Sequence, residues 1–441
     1  VRPPTAIAMP DILRVAVPAP LPELFDYLPP VGVAAAAVAV GARLRVPFGP
    51  REMIGVVVAH ARVAANPKLR AARALFDPQP VFPGPLWRTL LWAAHYYAYP
   101  LGEALATALP APVRDRHDAP MAQRDLVLRL LPDTTRRSQL RIGSAPAALY
   151  DALAAGPCAW ADLRAQIPNA ATARRRLQQL GLIEALALDT TPRRCTTAAP
   201  VLNPAQRDAV TAIQATLGGF ATILLEGITG SGKTEVYLAA IEQTLARGEQ
   251  VLVLVPEIGL TPQTLARFRE RLAAPVLAWH SGLADGPRAR AFGRARADTP
   301  LVVIGTRSAV FAPLPRLGLI IIDEEHDASF KQHEGFRYHA RDVALVRAKH
   351  SGIPVVLGSA TPALESLANV ERGRYRHLRL DARAGHAQPP GVEVLDVRRE
   401  PLQDGLGGAV LAAIAATVAR GEQALVFRNR RGFAPVLHCI D

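Results

Sequence analysis

Cysteine occurs three times in 441 residues, at Cys158, Cys195 and Cys439. Three scattered thiols cannot build a disulfide framework, so a reducing, cytoplasmic compartment is the expectation. Lysine is scarcer than the length would suggest, confined to Lys68, Lys233, Lys331 and Lys349, and every other basic residue is arginine. With abundant alanine, this looks like a coding bias and carries no functional information. Long apolar runs are missing as well. The stretch from Val31 to Val40 is short, Ala-rich and followed by Gly41-Ala42-Arg43, far from the ~20 residues that span a bilayer, and it is expected to be a loop or short helix. No export signal is visible and no membrane partner is expected. The chain opens on Val1 rather than Met and stops at Asp441, so truncation at both ends is expected.

What is abundant is positive charge: +13 at pH 7, with a pI near 10.3 and 50% hydrophobic residues. A chain this long and apolar buries several cores of ~150 residues each, which excludes a disordered tail and predicts about three domains. The excess charge favours a polyanionic partner, nucleic acid ahead of anionic membrane, against the plainer reading of a basic protein without one.

Short β-type runs broken by Pro and Gly, such as Ile12 to Val17 and Arg43 to Val46, predict a small β-rich domain over 11–112, with helical spacing from Leu86 to Tyr99. The charged, turn-rich stretch from Arg114 to Arg141 reads as a linker. Residues 113–195 as a whole read as a winged-helix domain: helix, turn, helix, then a basic helix with Arg174-Arg175-Arg176, closed by Gly181-Leu182-Ile183-Glu184. Those arginines are either DNA contacts or a solvated face. Thr190 to Pro200 is a linker by composition. Over 200–385 buried strands alternate with helices, at Thr222–Leu225, Val251–Val255, Leu301–Ile304, Leu319–Ile322 and Val355–Leu357, which is the pattern of a parallel α/β sheet. A second α/β unit over 390–441 begins with a helix from Val410 to Ala419 and a strand at Ala424 to Phe427, and is cut short.

The first of these buried strands runs into Gly227-Ile228-Thr229-Gly230-Ser231-Gly232-Lys233-Thr234, a G-x-x-x-x-G-K-[ST] loop between strand and helix. Its glycines let backbone N–H groups close around the β-phosphate of ATP, Lys233 reaches the β and γ oxygens, and the Thr234 hydroxyl ligates Mg2+. A composition that writes arginine almost everywhere still places lysine here, where a forked guanidinium would not fit. A P-loop needs an acidic partner on a neighbouring strand, and Leu319-Ile320-Ile321-Ile322 ends in Asp323-Glu324-Glu325-His326. Asp323 is expected to hold the magnesium shell, Glu324 to polarise the attacking water, and His326 to sense the γ-phosphate.

D-E-x-H after a P-loop resembles superfamily 2 helicases and translocases, whose fold is RecA-like. Gly358-Ser359-Ala360-Thr361-Pro362 resembles the motif coupling hydrolysis to lobe movement, with Ser359 and Thr361 as its polar members. Gly305-Thr306-Arg307-Ser308-Ala309 resembles a backbone-phosphate contact on the tracked strand. Pro256-Glu257-Ile258-Gly259-Leu260-Thr261 resembles the adjoining strand contact. Gln206, upstream in Leu202-Asn203-Pro204-Ala205-Gln206, is placed to read adenine. Three further phosphate-facing loops exceed what a small-molecule kinase needs and point to single-stranded nucleic acid.

Longer motifs are closer still. Asp323 to Gln332, Arg337-Tyr338-His339-Ala340-Arg341-Asp342-Val343-Ala344, Asn429-Arg430-Arg431-Gly432-Phe433-Ala434-Pro435, Leu24-Phe25-Asp26-Tyr27 and Arg45-Val46-Pro47-Phe48-Gly49 resemble the bacterial primosomal protein N′ (PriA) family of replication-restart helicases, over nearly the whole chain. The resemblance implies an ATP-dependent 3′ to 5′ DNA helicase that recognises abandoned forks and starts primosome assembly. It implies forked and single-stranded DNA, other primosome proteins, single-strand binding protein and the replicative helicase loader as partners. It places a pocket for a free 3′ DNA end at Phe25, Asp26 and Tyr27, and makes Phe330, Lys331, Phe336, Arg337 and Tyr338 an aromatic-rich loop that couples strand binding to hydrolysis, against packing alone.

The family also carries a zinc module in its second lobe. Cys439 matches its first ligand, but without partner cysteines no tetrahedral Zn2+ site forms in this chain. An arginine finger is likewise expected beyond the chain's end, worth ~10³ or more in rate, so the chain as given is expected to bind nucleotide and DNA but hydrolyse poorly. Phe292 stands where the family is expected to have tryptophan. Two rivals remain: a double-strand DNA translocase of fork-reversal or restriction type, and a non-catalytic fork-binding module.

Overall fold

The computed structural model describes residues 12–62, 69–115, 126–131, most of 140–187, 200–383 apart from 281, and 391–427. Its N-terminal strands are β1 (Ile12–Ala16), β2 (Phe25–Leu28), β3 (Arg43–Phe48), β4 (Arg51–Ala61), β5 (Arg70–Ala71) and β6 (Ala74–Leu75), paired in the order β5-β2-β1-β4-β3-β6. Period-two alternation turns Leu13, Val15, Leu44, Val46 and Val57 onto one face, where they form a core of their own. The Val31 to Val40 stretch contributes only a 3-10 turn at Ala35–Ala37.

Three helices follow, α1 (Gly84–Tyr96), α2 (Leu101–Thr107) and α3 (Ala111–Asp115). The buried side of α1, Leu86, Leu90, Ala93 and Ala94, does not serve the N-terminal sheet alone. It joins Leu105, Val113, Phe311, Val343, Ala344 and Leu357 in one continuous core, and each leucine so buried is worth ~1.5–3 kcal/mol. Two polar ties reinforce the seam: Thr89 Oγ1 lies 3.0 Å from His350 Nδ1, and Arg296 donates to the Pro80 carbonyl at 3.0 Å. Residues Val1–Gly385 accordingly form one compact unit, in which the core of α1–α3 is continuous with that of the later helices and strands.

The stretch expected as a linker from Arg114 contains a strand, β7 (Leu126–Leu130). It lies between β8 (Cys158–Ala159) and β9 (Ile183–Ala187), antiparallel to both. Helices Ala145–Ala154 and Ala170–Gln179 pack Leu149, Leu153, Ala173 and Leu177 with Leu128 and Ile183. The linker expected at Thr190 to Pro200 lies, save Pro200, outside the described residues, as does Cys195.

The third sheet has seven strands in the order β12-β13-β11-β14-β15-β10-β16, all pairs parallel. They are β10 (Ala221–Gly227), β11 (Gln250–Leu254), β12 (Val276–Trp279), β13 (Val302–Gly305), β14 (Leu317–Asp323), β15 (Pro354–Ser359) and β16 (Arg376–Leu380). The five expected strands are the inner ones, buried on both faces and therefore continuous in hydrophobicity. β12 and β16 are the edges, β12 only four residues long and β16 half-polar, and sequence reading passed over them. Because β15 separates β10 from β14, the P-loop and the acidic motif open at the same carboxyl end of the sheet.

The second unit, His386–Asp441, carries the expected helix at Gly408–Ala419, with no buried residue among those described. The expected strand at Ala424 to Phe427 is not formed. An extended segment becomes a strand only by pairing, and no described segment pairs with it. Among the described residues, no helix is long and apolar enough to cross a membrane.

Candidate nucleotide and DNA site

A cavity of about 550 Å³ lies over the P-loop, lined by Gly230 to Glu235, Ile228, Thr229, Gln206, Arg267, Asp323 and Glu324 among others. The loop closes tightly because Gly227 has no side chain: a Cβ there would sit 2.5 Å from Ser231 Oγ. Gly230 and Gly232 take φ of +82° and +81°, the left-handed region open to glycine. Lys233 Nζ donates to the Gly227 carbonyl at 2.7 Å, and Ser231 Oγ is buried without a partner. A glycine loop with an orphaned hydroxyl, closed on a lysine at a helix N-terminus, fits a phosphate chain. Thr234 and Asp323 line the same cavity and fit a magnesium ion.

Gln206 is oriented differently from the expectation. Its Oε1 accepts from the Asn203 backbone N–H at 2.9 Å while Asn203 Oδ1 accepts from the Gln206 N–H, a capping box on helix Pro204–Gln214, and its Nε2 donates to the Ser231 carbonyl at 2.8 Å. Each end of the amide thus makes one bond to the backbone, so Gln206 fastens this helix to the P-loop while it lines the cavity.

Asp323 ends β14 opposite Gly358 of β15. Its Oδ1 accepts from the Tyr237 hydroxyl at 2.9 Å. Burial raises the Asp323 pKa above the usual carboxylate range, against the opposing pull of Tyr237 and Lys233, and burial pushes the Tyr237 phenol well above its own. Glu324 is also raised, by burial and then by the Asp323 charge. Its φ of +48° puts a non-glycine residue in the left-handed region, a strain of ~1–2 kcal/mol that turns the chain sharply after the strand.

His326, expected as a γ-phosphate sensor, has its Nδ1 2.7 Å from Ser359 Oγ and 3.7 Å from Glu324 Oε2. Ser359 Oγ also accepts from the Thr361 N–H at 2.9 Å. The histidine thus spans the acidic motif and the Ser359–Thr361 turn and is already engaged there. Glu325, which sequence reasoning left without a role, is fully buried. Its oxygens accept from Arg341 Nη1 at 2.9 Å, the Ala363 N–H at 2.7 Å and Ser366 Oγ at 3.0 Å.

The expected strand contacts are less exposed than their motifs suggested. Thr261 Oγ1 accepts from the Thr264 N–H and caps helix Pro262–Arg271. Thr306 is buried, because its N–H must donate to the Trp279 carbonyl where β13 ends. Arg307 Nη1 donates to the Ser329 and Lys331 carbonyls, at 3.1 and 2.8 Å, holding the segment after the acidic motif. Phe330, Phe336 and Tyr338 are buried, not open for stacking. The cost of aromatics in a polar loop is met by packing: Phe336 stacks on Tyr99 at 5.1 Å and Tyr338 meets Phe311 edge-on at 4.8 Å. Lys331 donates to the Arg337 carbonyl and lies 5.4 Å from the Tyr97 ring, while the Arg337 side chain stays exposed.

On β2 the three expected pocket residues cannot share one face, since successive strand residues point oppositely. Phe25 and Tyr27 turn to the sheet's core, Phe25 against Phe48 at 5.0 Å and Tyr27 donating to the Pro47 carbonyl at 3.0 Å. Asp26 points the other way and pairs with Arg14 at 3.5 Å. Cys439 and the Asn429 to Pro435 motif lie outside the described residues.

Comparison with known proteins joins the two halves of this site. The family model of the 3'DNA-binding domain (3'BD) matches residues 14–110 and that of the DEAD/DEAH box helicase matches 203–370. The replication restart protein PriA of Haemophilus influenzae is 40% identical over 97% of this chain and 60% of its own length. The chain belongs to the PriA family. The PriA of Treponema pallidum is 34% identical over 95% of this chain and 54% of its own length, and that of Bacillus subtilis 45% over 54% and 30%. The chain therefore spans 60% or less of the length of these PriA relatives. Among solved structures, RecG bound to a three-way DNA junction matches with 23% identity over 51% of this chain and 29% of that one, at a TM-score of 0.35.

In this PriA-family chain, sequence reading missed Tyr237, Glu325, Arg341 and Arg267. Only Glu325 carried a signal, a third acidic residue directly after a buried strand. Arg267 reaches the cavity from helix Pro262–Arg271 and pairs with Glu235 at 2.6 Å.

Proposed function

We propose that this chain is the fork-recognising and nucleotide-binding part of an ATP-dependent 3′ to 5′ DNA helicase that finds stalled or abandoned replication forks and starts primosome assembly and replication restart. The observation that carries the reading is a joint: Tyr97, at the end of α1 within the matched 3'BD, accepts a hydrogen bond from the backbone N–H of His339, in the segment leading out of the acidic motif, at 3.1 Å. The part matched to end binding and the part matched to a helicase motor are thus in direct contact.

In this reading 11–112 is the 3′-end-binding domain, 113–195 a winged-helix domain, 200–385 the first RecA-like lobe and 390–441 the start of the second. The two helices and three-stranded sheet of 126–187 suit a winged helix, with Arg174 laid over Trp160 at 4.8 Å and Arg175 and Arg176 exposed. Lys233 and the P-loop N–H groups bind the phosphates of ATP, Thr234 and Asp323 hold Mg2+, which neutralises phosphate charge when bound, and Glu324 orients the attacking water. Zn2+ belongs to the full-length protein, with Cys439 as a ligand. Forked and single-stranded DNA, other primosome proteins, single-strand binding protein and the replicative helicase loader are the partners, in the cytoplasm at the nucleoid.

The test is binding to two synthetic forks that differ only in whether the leading strand's 3′ end is free or phosphate-blocked. Several-fold tighter binding to the free end is expected. Asp26→Ala is expected to erase that preference, because it removes the carboxylate that accepts from the terminal nucleotide and unpairs Arg14, whose side chain is 45% exposed. Equal binding by the parent chain favours the double-strand translocase. An unchanged preference in the variant removes Asp26 from the pocket.

A further inference from the structure

The Tyr237 side chain rises from helix Lys233–Ala246 and is fully buried, yet it is polar at its tip. The tip fits because of a residue on another strand: a Cβ at Gly358 would lie 1.6 Å from the Tyr237 hydroxyl. Any side chain there would exclude it. Three sequence-distant segments therefore meet at one oxygen: the helix that begins with Lys233, the end of β14 at Asp323, and β15 at the start of the Ser359–Thr361 turn. The hydroxyl donates to one oxygen of Asp323, at 2.9 Å, and so fixes the rotation of a carboxylate that lines the nucleotide cavity.

We infer that Tyr237 is a positioning residue for the metal-binding carboxylate: by holding Asp323 Oδ1 it commits the other oxygen to a magnesium–nucleotide complex, and Gly358 is glycine so that it can. This rests on the proposed reading of the cavity as an ATP–magnesium site. Carboxylates freed of such a bond rotate, and a hard cation loses a preset ligand. The phosphate grip of the P-loop is separate. Tyr237 should therefore govern the part of nucleotide affinity that magnesium adds and leave the magnesium-free part alone, a separation that a merely structural ring would not make.

The experiment titrates the full chain with fluorescent ATP in excess Mg2+ and again in EDTA, for the parent, Tyr237→Phe and Gly358→Ala. Tyr237→Phe keeps the ring and its packing. It is expected to lower the gain from Mg2+ about fivefold, the weight of one hydrogen bond, with EDTA affinity within twofold of the parent. Gly358→Ala is expected to do the same by displacing the hydroxyl, and Tyr237→Phe added to it should have little further effect. A parent-like gain in Tyr237→Phe overturns the inference alone. A parent whose affinity is indifferent to Mg2+ overturns the ATP–magnesium reading with it. Equal losses with and without Mg2+ mean that the ring only packs, and also overturn it.

Discussion

Lys233→Ala is expected to weaken nucleotide binding at least ~100-fold while leaving fork binding within about twofold. The ammonium is the loop's own cation, and with no nucleotide it spends a proton on the Gly227 carbonyl at 2.7 Å. Charge-assisted hydrogen bonds to phosphate are worth ~1.5–3 kcal/mol each, so losing two costs at least two powers of ten in affinity. Arg267, the other basic residue lining the cavity, is engaged with Glu235 and sits across the mouth. The lysine side chain is half-buried and supports no core, so the melting temperature should hold. Fluorescent-nucleotide titration and fork anisotropy on one preparation read both effects. Loss of both together would remove the separation between the two sites.

Glu325→Ala should be the most destabilising single change near the site. The carboxylate is fully buried and saturated, with Arg341, the Ala363 N–H and Ser366 as donors. Removing it leaves a guanidinium and two further donors without their acceptor, and breaking a buried pair from one side costs ~3–5 kcal/mol. Arg341 keeps a second partner in Asp342 at 3.3 Å, which places the loss at the lower end. A fall in melting temperature of roughly 5–10 °C follows for a unit of this size. Glu325→Gln keeps the volume and one acceptor and should lose about half as much. Melting within 2 °C of the parent in the alanine variant would refute the role of Glu325 as the fastening of this corner.

The site's layout was legible where one segment carries the whole device. The P-loop is local, a strand, a turn of glycines and a helix in immediate succession, and Asp323 is announced by the apolar strand before it. Both stand where sequence reading put them. The same holds for the five inner strands, whose burial on both faces leaves an unbroken apolar run. What sequence could not supply were directions and long-range partners. Phe25, Asp26 and Tyr27 are adjacent in the chain, and adjacency in a strand means opposite faces. Phe336 and Tyr338 read as open aromatics because their partners, Tyr97 and Tyr99 for the first and Phe311 for the second, lie far away in sequence. Thr306 and Gln206 each had a hydroxyl or amide of suitable chemistry, but Thr306 is buried at the end of β13 and the Gln206 amide is bonded to the Asn203 and Ser231 backbone. β12 and β16 carry the weak patterns of edges. Tyr237 was in plain view in the helix after the P-loop, but its partners lie on two other strands.

The core that α1–α3 share with the seven-stranded sheet makes the unit Val1–Gly385 a caliper. A hinge between the N-terminal strands and the seven-stranded sheet would need a polar, water-accessible surface at which to slip. Instead Leu90, Val343 and Phe311 are interlocked, and Arg43, paired with Asp77, also donates to the Val113 carbonyl. β2 is therefore held at a set reach from the Lys233 loop, and altering side-chain volume at the seam would recalibrate that reach rather than loosen it.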